Sequence, residues 1–329
     1  MSTFKNRVMV VDSENPTDMW YSKQVLSGSP VEFVLSFVQN IGTAGGNLTG
    51  VYQMDDKLIL FKAGSLLYMV GTGPTASGSG NDFTDPLPVA FDAGCVDSGS
   101  IVLMPLGLMF KSAKGIYLLD RGLNSSYIGA DVEKYNANHV LSSQLIPNST
   151  QVRFLLDNGI TLFYDYYYKQ WGTFSIGGVS DCIFQGQHTI VAGNGTVYKE
   201  TPGVYLDGAN PVLMNFTTSW IKFAGLQGYQ RAFFFYLLAE YISPHSLSFG
   251  IAYDFSSSLT QVSIITPDPT NNLENWRVFL AQQRCQAFQI QLQEVYGGTP
   301  GAGFTMSGLN LIVGAKSQFT TIAAAQSVG

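Results

Sequence analysis

The chain has 329 residues, 46% of them hydrophobic, which is enough for two folded domains with real cores and excludes a disordered chain. Charged residues make up only 12%, about half the usual share, a composition suited to faces covered by neighbours rather than to a free monomer. The net charge of −6 argues against a general nucleic-acid binder, whose phosphate contacts need Lys and Arg.

The first residues, Met1-Ser2-Thr3-Phe4-Lys5, lack the apolar core of a secretory signal. No apolar run approaches the ~20 residues of a membrane span. The most hydrophobic stretch, Ala232 to Leu238, reads as a buried strand. Cys95, Cys182 and Cys285 are an odd, sparse set, which points to a reducing compartment during folding and not to a disulfide scaffold. Asn47, Asn124, Asn148, Asn194 and Asn215 sit in glycosylation-type triplets and read as turn chemistry.

In chain order, five hairpins follow one pattern: an apolar strand, a short Gly/Asp/Asn/Lys turn, and a second apolar strand with an aromatic. The first runs from Arg7–Val11 to Met19–Tyr21. The second pairs Lys57–Phe61 with Leu66–Val70, and the third Gly107–Phe110 with Ile116–Leu119. The fourth joins Val152–Leu156 to Ile160–Tyr164 through Asp157-Asn158-Gly159. The fifth joins Thr189–Val191 to Thr196–Tyr198 through Ala192-Gly193-Asn194-Gly195. Their first strands begin near residues 8, 58, 108, 152 and 189, so the steps of 50, 50, 44 and 37 bracket the ~40–50-residue period of propeller blades. A meander or sandwich made of similar hairpins is the alternative. Trp20, Tyr68, Tyr117, Phe163 and Tyr198 are expected at equivalent strand positions.

Near Pro211 the period stops. Strands are expected over Val212–Phe223, Arg231–Tyr241, Leu247–Asp254, Arg277–Ala281, Ala287–Val295 and Leu309–Val313, with a loop from Thr266 to Asn275. The alternation in Gln289–Gln293 and Ser246–Ile251 marks a sheet with one wet face. The expected fold is therefore all-β: β-propeller-like blades over residues 1–207, then a β-sandwich over 208–329 that ends in a mobile Gly/Ala/Ser tail.

Catalytic chemistry is hard to find. Gly71-Thr72-Gly73-Pro74-Thr75-Ala76 matches the dinucleotide-binding glycine pattern, but Ser77-Gly78-Ser79-Gly80-Asn81 follows where a helix would have to begin. His139, His188 and His245 are scattered, with no Cys or acid at metal-ligand spacing. Asp55-Asp56 and Asp12/Glu14 read as solvated turn acids, not as a glycosidase pair. Tyr164-Asp165-Tyr166-Tyr167-Tyr168 could stack bases but reads better as sheet-to-sheet packing. No catalytic, cofactor-binding or metal-binding residue is assigned, no cofactor is expected, and the chain does not read as an enzyme.

Several phrases resemble a known family. They are Lys5-Asn6-Arg7 leading to Trp20-Tyr21-Ser22, Leu106–Phe110 followed by Lys114–Arg121, Tyr127–Ala130 with Val132–Asn136, and Gln151–Phe154 to Gln170-Trp171. In the last third, Gln227–Arg231, Tyr253-Asp254, Trp276-Arg277 and Gln283-Arg284-Cys285 continue the likeness. Together they resemble the tail nozzle, or tail hub, proteins of short-tailed bacteriophages. Such proteins often carry further β-structure ahead of the Lys-Asn-Arg segment. A short version, a processed piece and one of two chains sharing a propeller are the alternatives this leaves.

The resemblance implies a structural virion protein in the tail, assembled in the host cytoplasm into a ring of copies of itself, with sixfold symmetry. It would extend the DNA channel below the portal and the head-to-tail adaptor and anchor tail fibres, spikes or a tip protein. DNA would pass through without specific binding, and no membrane is involved. A receptor- or sugar-binding β-module and a propeller glycoside hydrolase are the alternatives. The former calls for an exposed aromatic cluster near acids or amides, the latter for convergent His or carboxylates in a pocket.

Overall fold

A computed structural model of the chain describes residues 1–89, 92–223, 229–241, 245–266, 273–282, 284–301 and 303–316. Among them the fold is all-β, with 29 strands and two short 3-10 turns. The chain divides into two compact units, Met1–Glu200 and Thr201–Gly329.

In the first unit five antiparallel sheets follow one another, each a meander in chain order. The first is β1 (Ser2–Phe4), β2 (Arg7–Val11), β3 (Asp18–Ser22) and β4 (Phe33–Asn40). The second is β5 (Leu48–Met54), β6 (Lys57–Lys62), β7 (Leu66–Met69) and β8 (Leu87–Pro88). The third is β9 (Val102–Met104), β10 (Gly107–Ser112), β11 (Gly115–Asp120) and β12 (Ser125–Tyr127). The fourth is β13 (Val140–Leu145), β14 (Gln151–Leu156), β15 (Thr161–Asp165) and β16 (Gln170–Phe174). The fifth has three strands, β17 (Ser180–Phe184), β18 (Gln187–Val191) and β19 (Val197–Lys199). Each of the five hairpins read from the sequence is the second and third strand of one sheet.

Local turn chemistry sets these meanders. Lys5 and Asn6 both take positive φ (47° and 59°), as do Gln185 and Gly186 (52° and 76°), the backbone that a two-residue hairpin between right-twisted strands demands. At the β14–β15 turn the Asn158 side chain accepts the Ile160 N–H, and Gly159 takes φ +80° without the steric cost of a Cβ.

Strand parity then decides how the sheets stack. The second strands can be aligned at the residue that closes the hairpin from the first strand: Arg7, Lys57, Gly107, Gln151 and Gln187. Residues one and three further along share one face, because side chains alternate with period two. In the second sheet these are Leu58 and Leu60, which pack on Met9 and Val11 of the first. In the third they are Leu108 and Phe110, packed on Ile59 and Phe61 of the second, with the Phe61 and Phe110 rings 5.3 Å apart. In the fourth they are Val152 and Phe154, packed with Met109 of the third. In the fifth, His188 and Ile190 hold these positions, and His188 meets Arg153 of the fourth. Every sheet thus turns its one-and-three face back toward its predecessor and its two-and-four face forward to its successor. Fully burying one such Leu or Phe side chain is worth ~1.5–3 kcal/mol.

The aromatic expectation is corrected by the same parity. Trp20, Tyr68, Tyr117, Phe163 and Tyr198 all lie on third strands, but Trp20, Tyr117 and Tyr198 pair opposite position three, whereas Tyr68 and Phe163 pair opposite position two. They therefore point to opposite faces. The tyrosine run is also corrected in part. Tyr164 is buried and Tyr166 packs beside it, but Tyr167 and Tyr168 sit on the β15–β16 turn, where Tyr167 is 72% exposed. A turn, not a strand, carries them, because the Asp165 carboxylate accepts both of their N–H groups.

The second unit begins with a two-stranded ribbon, β20 (Leu206–Asp207) and β21 (Asn210–Pro211). Its strands then run β22 (Asn215–Thr217), β23 (Tyr229–Tyr241), β24 (Ser246–Tyr253), β25 (Gln261–Ile265), β26 (Leu273–Phe279), β27 (Arg284–Cys285), β28 (Phe288–Val295) and β29 (Phe304–Lys316). One sheet has the order β22-β28-β24-β25; in the other β23 pairs with β26, β27 and β29. The sheets share one core, with Phe235 and Leu237 of one meeting Phe249, Ile290 and Leu292 of the other, so the unit is a two-sheet sandwich.

The strand bounds differ from the sequence reading. Val212–Phe223 supplies only β22 and an isolated bridge at Ile221. β25 was not expected, and Leu273–Asn275, expected in a loop, belongs to β26. The rest of that loop beyond Thr266, the Gly/Ala/Ser tail after Lys316, and Gln227, Gly228 and Gln283 of the family-like phrases lie outside the described residues.

Candidate functional site

The glycine-rich segment after β7 holds no phosphate cradle open. The Asp82 carboxylate already accepts the N–H groups of Thr72 and Gly73 and, at 2.9 Å, the Thr72 hydroxyl. The hydroxyl bond, aided by the amide bonds, holds the Asp82 carboxyl below its usual value. Gly71 is required at φ +115°, where a Cβ would meet the Asp82 carbonyl oxygen at 2.3 Å. The other side of the loop is also occupied. Buried Arg7 donates to the carbonyls of Thr72 (3.1 Å), Ser22 (2.9 Å) and Pro74. Nests of backbone N–H groups bind anions; here the chain's own carboxylate fills that role and the loop is locked onto the first sheet.

Two buried lysines donate to backbone carbonyls. Lys62 Nζ donates to the Gly42 carbonyl and Lys111 Nζ to the Asn136 carbonyl, each at 2.7 Å. Burial pulls both ammonium groups below their ordinary value. They tie strands to loops.

Sequence spacing missed that each histidine has an acid. His139 Nδ1 lies 2.9 Å from Asp97, His188 Nε2 2.8 Å from Asp181, and His245 Nδ1 2.6 Å from Glu294. The partners of His139 and His245 are 42 and 49 residues away in sequence, so tertiary structure unites them, whereas Asp181 meets His188 across the β17–β18 hairpin. The Asp181–His188 pair has the form of the acid–base half of a nucleophilic triad, but the third position is held by Arg153, 3.1 Å from His188 Nδ1. Arg can only donate, so Nδ1 accepts and the Nε2–H donates to Asp181. Arg153 also grips the Glu200 carboxylate, at 2.6 and 3.2 Å. A cation stands where a nucleophile would be needed, and His188 is buried, so this cluster joins the fourth and fifth sheets and offers no reaction centre. His245 likewise bridges Glu294 and the Thr299 carbonyl inside the second unit. Among the described residues, no three His, Cys, Asp or Glu side chains converge as a metal site would require.

What the structure does offer is exposed surface of a particular kind. The backward face of the first sheet presents an apolar groove lined by Met1, Thr3, Val8, Val10, Val31 and Phe33. The forward face of the fifth sheet presents Phe184, 55% exposed, and Val197, 61% exposed. In the second unit, the outer face of the β26-β23-β29 sheet carries Phe234, Tyr236 and a 62%-exposed Phe279 around Arg277. The Arg277 guanidinium stacks at 3.9 Å on Phe234 and at 4.6 Å on Phe279. Asn275 and Asn310 flank the same face. Arg277 entered the sequence reading only within a family-like phrase, and Val8, Val10 and Val197 only as hairpin strands; none was assigned a surface role. The usable signal was the strand Arg7–Val11, apolar on both faces, as a strand is when both faces are covered.

No family model matches the chain, and no curated protein matches it. Among solved structures it is similar to a chain of an S. cerevisiae assembly of Dbp5 with Nup159, Gle1, IP6 and ADP, at 10% identity over 90% of each chain and a TM-score of 0.31. A glycoside hydrolase family 43 arabinoxylan arabinofuranohydrolase from Bacillus subtilis aligns at 9% identity over 93% of this chain and 95% of its own, with a TM-score of 0.22. A further glycoside hydrolase aligns at 8% identity over 92% and 69% of the two chains, with a TM-score of 0.19. At these scores the likenesses carry no argument about fold or activity.

Proposed function

We propose that the chain is a structural virion protein, a ring-forming component of the tail nozzle of a short-tailed bacteriophage. In this reading the five sheets are blades of a propeller-like unit. Copies form a ring that continues the DNA channel below the portal and adaptor and anchors fibres, spikes or a tip. The observation that carries the reading is the uncovered apolar surface at both ends of the five-sheet stack, in a chain with few charges to keep it soluble alone. The phrase-level resemblance to tail nozzle proteins supplies the setting. The acidic balance of the chain suits a channel wall along which DNA slides without salt-sensitive phosphate contacts. The two buried His–acid pairs, at His188 and His245, each closed by structural partners, fit a protein without catalytic work. The test is a phage with this gene interrupted: filled heads lacking the distal tail support the reading, and complete, infectious particles refute it.

A second reading, a receptor- or glycan-binding module, is favoured by the outer face around Arg277, where exposed aromatics stand beside the amides of Asn275 and Asn310. Glycan-array binding that is lost in Phe279→Ala would favour this reading, whereas an empty array favours the nozzle.

A further inference from the structure

The two uncovered faces of the five-sheet stack are not two arbitrary apolar patches. Inside the unit, each interface joins the two-and-four face of one sheet to the one-and-three face of the next. The first sheet leaves a one-and-three face bare, carrying Val8 and Val10. The fifth leaves its two-and-four face only partly covered: Thr189 is buried and Val191 half-buried, while Phe184, Val197 and Lys199 on the same face are exposed. The bare faces are therefore the two complementary halves of the interface that the chain repeats internally. Phe33, which lines the groove on the first sheet, is 46% exposed, and Val8 and Val10 are half-buried.

We propose that the backward face of the first sheet receives the forward face of the fifth sheet of a second copy. The contact is heterologous: two different patches meet, and each copy keeps one patch free for the next, which is the arrangement that builds rings or chains of copies. The groove along Val8, Val10, Val31 and Phe33 is the concave half, and Phe184 and Val197 are the protruding half. Among the described residues the fifth sheet has three strands where the other four have four. The inference rests on the ring-forming reading for its biological setting and on strand parity for its geometry.

The experiment uses two full-length variants, Phe184→Asp/Val197→Asp, which spoils the forward face, and Val8→Asp/Val10→Asp, which spoils the backward face. Circular dichroism and thermal melts first establish that each folds. The less exposed valines have the milder variant Val31→Asp as a second choice on the same groove. Sedimentation velocity at ~100 µM is the readout. The wild-type chain is expected to form assemblies larger than a dimer and each variant alone to be monomeric. A mixture of the two is expected to give a one-to-one dimer and nothing larger, because one intact forward face meets one intact backward face. Three results would each overturn the proposal: a wild-type monomer, a variant that still self-associates, or a mixture that stays monomeric. A chain that associates in this way but is absent from the virion would sink the nozzle reading alone. A virion ring whose contacts run elsewhere would sink the stacking alone.

Discussion

Phe154 is fully buried on the one-and-three face of the fourth sheet, among Val152, Leu162 and Tyr164, with its ring 6.0 Å from that of Trp171. Replacing it by Ala removes a side chain that contacts the third sheet and leaves a cavity that close-packed neighbours fill only in part. The expected cost is ~3–5 kcal/mol. That is a large fraction of the ~5–15 kcal/mol by which a domain is stable. For a unit of this size each kcal/mol moves the melting temperature by ~2–4 °C, so the transition is expected to fall by roughly 6–20 °C. Differential scanning calorimetry of the full chain, with urea titration as a second measure, reads the change. The control is Tyr167→Ala on the exposed β15–β16 turn, expected within ~0.5 kcal/mol of the parent. A Phe154→Ala loss below ~1 kcal/mol, or a Tyr167→Ala loss of equal size, would falsify the stacked-sheet packing.

Three other predictions are independent of it. Cys95 and Cys285 are buried and Cys182 is exposed, so a thiol reagent is expected to titrate one equivalent in the native chain and three after unfolding; more than one native equivalent contradicts the packing. Burial pushes the Cys95 and Cys285 thiols up to about 11 and the Tyr253 phenol up to about 12. The folded chain then holds more protons than the unfolded one, so stability is expected to fall as pH rises above the thiol's ordinary 9.0 toward 11, and less steeply in Cys95→Ala. Lys62 and Lys111, lowered by burial, act with the opposite sign just below the ordinary lysine value and offset part of the fall; urea midpoints that rise across this range would count against the thiol assignment. His188→Ala leaves the buried Asp181 carboxylate without its partner while Arg153 keeps Glu200, at a cost of ~3–5 kcal/mol by urea denaturation, and a neutral result would show that the cluster does not join the fourth and fifth sheets.

The central hairpins were legible because their information is local. Lys57–Lys62 and Gly107–Ser112 are almost entirely buried and therefore apolar on both faces, and their turns carry residues that accept positive φ. The outer strands were harder, since β8 and β12 are two and three residues long and mostly exposed. In the second unit Val212 and Leu213 have apolar side chains but stay outside any strand, whereas β25 was missed because its exposed Val262 and Ile264 break the expected pattern of a wet face. The polar clusters were invisible for a different reason. Asp82 caps a loop ten residues back, and His139 and His245 find acids 42 and 49 residues away, so no spacing rule could have paired them. Surface function was likewise hidden: Val8 and Val10 look like core residues, and only the order of the stack shows that none of the other described sheets of the unit packs on their face.

The most direct test of the central claim is electron microscopy of the phage particle at a resolution that traces this chain. The account predicts several copies in a closed ring around the channel axis, distal to the adaptor, with the first sheet of each copy against the fifth sheet of the next. A single copy per particle, or a chain absent from the tail, would contradict it.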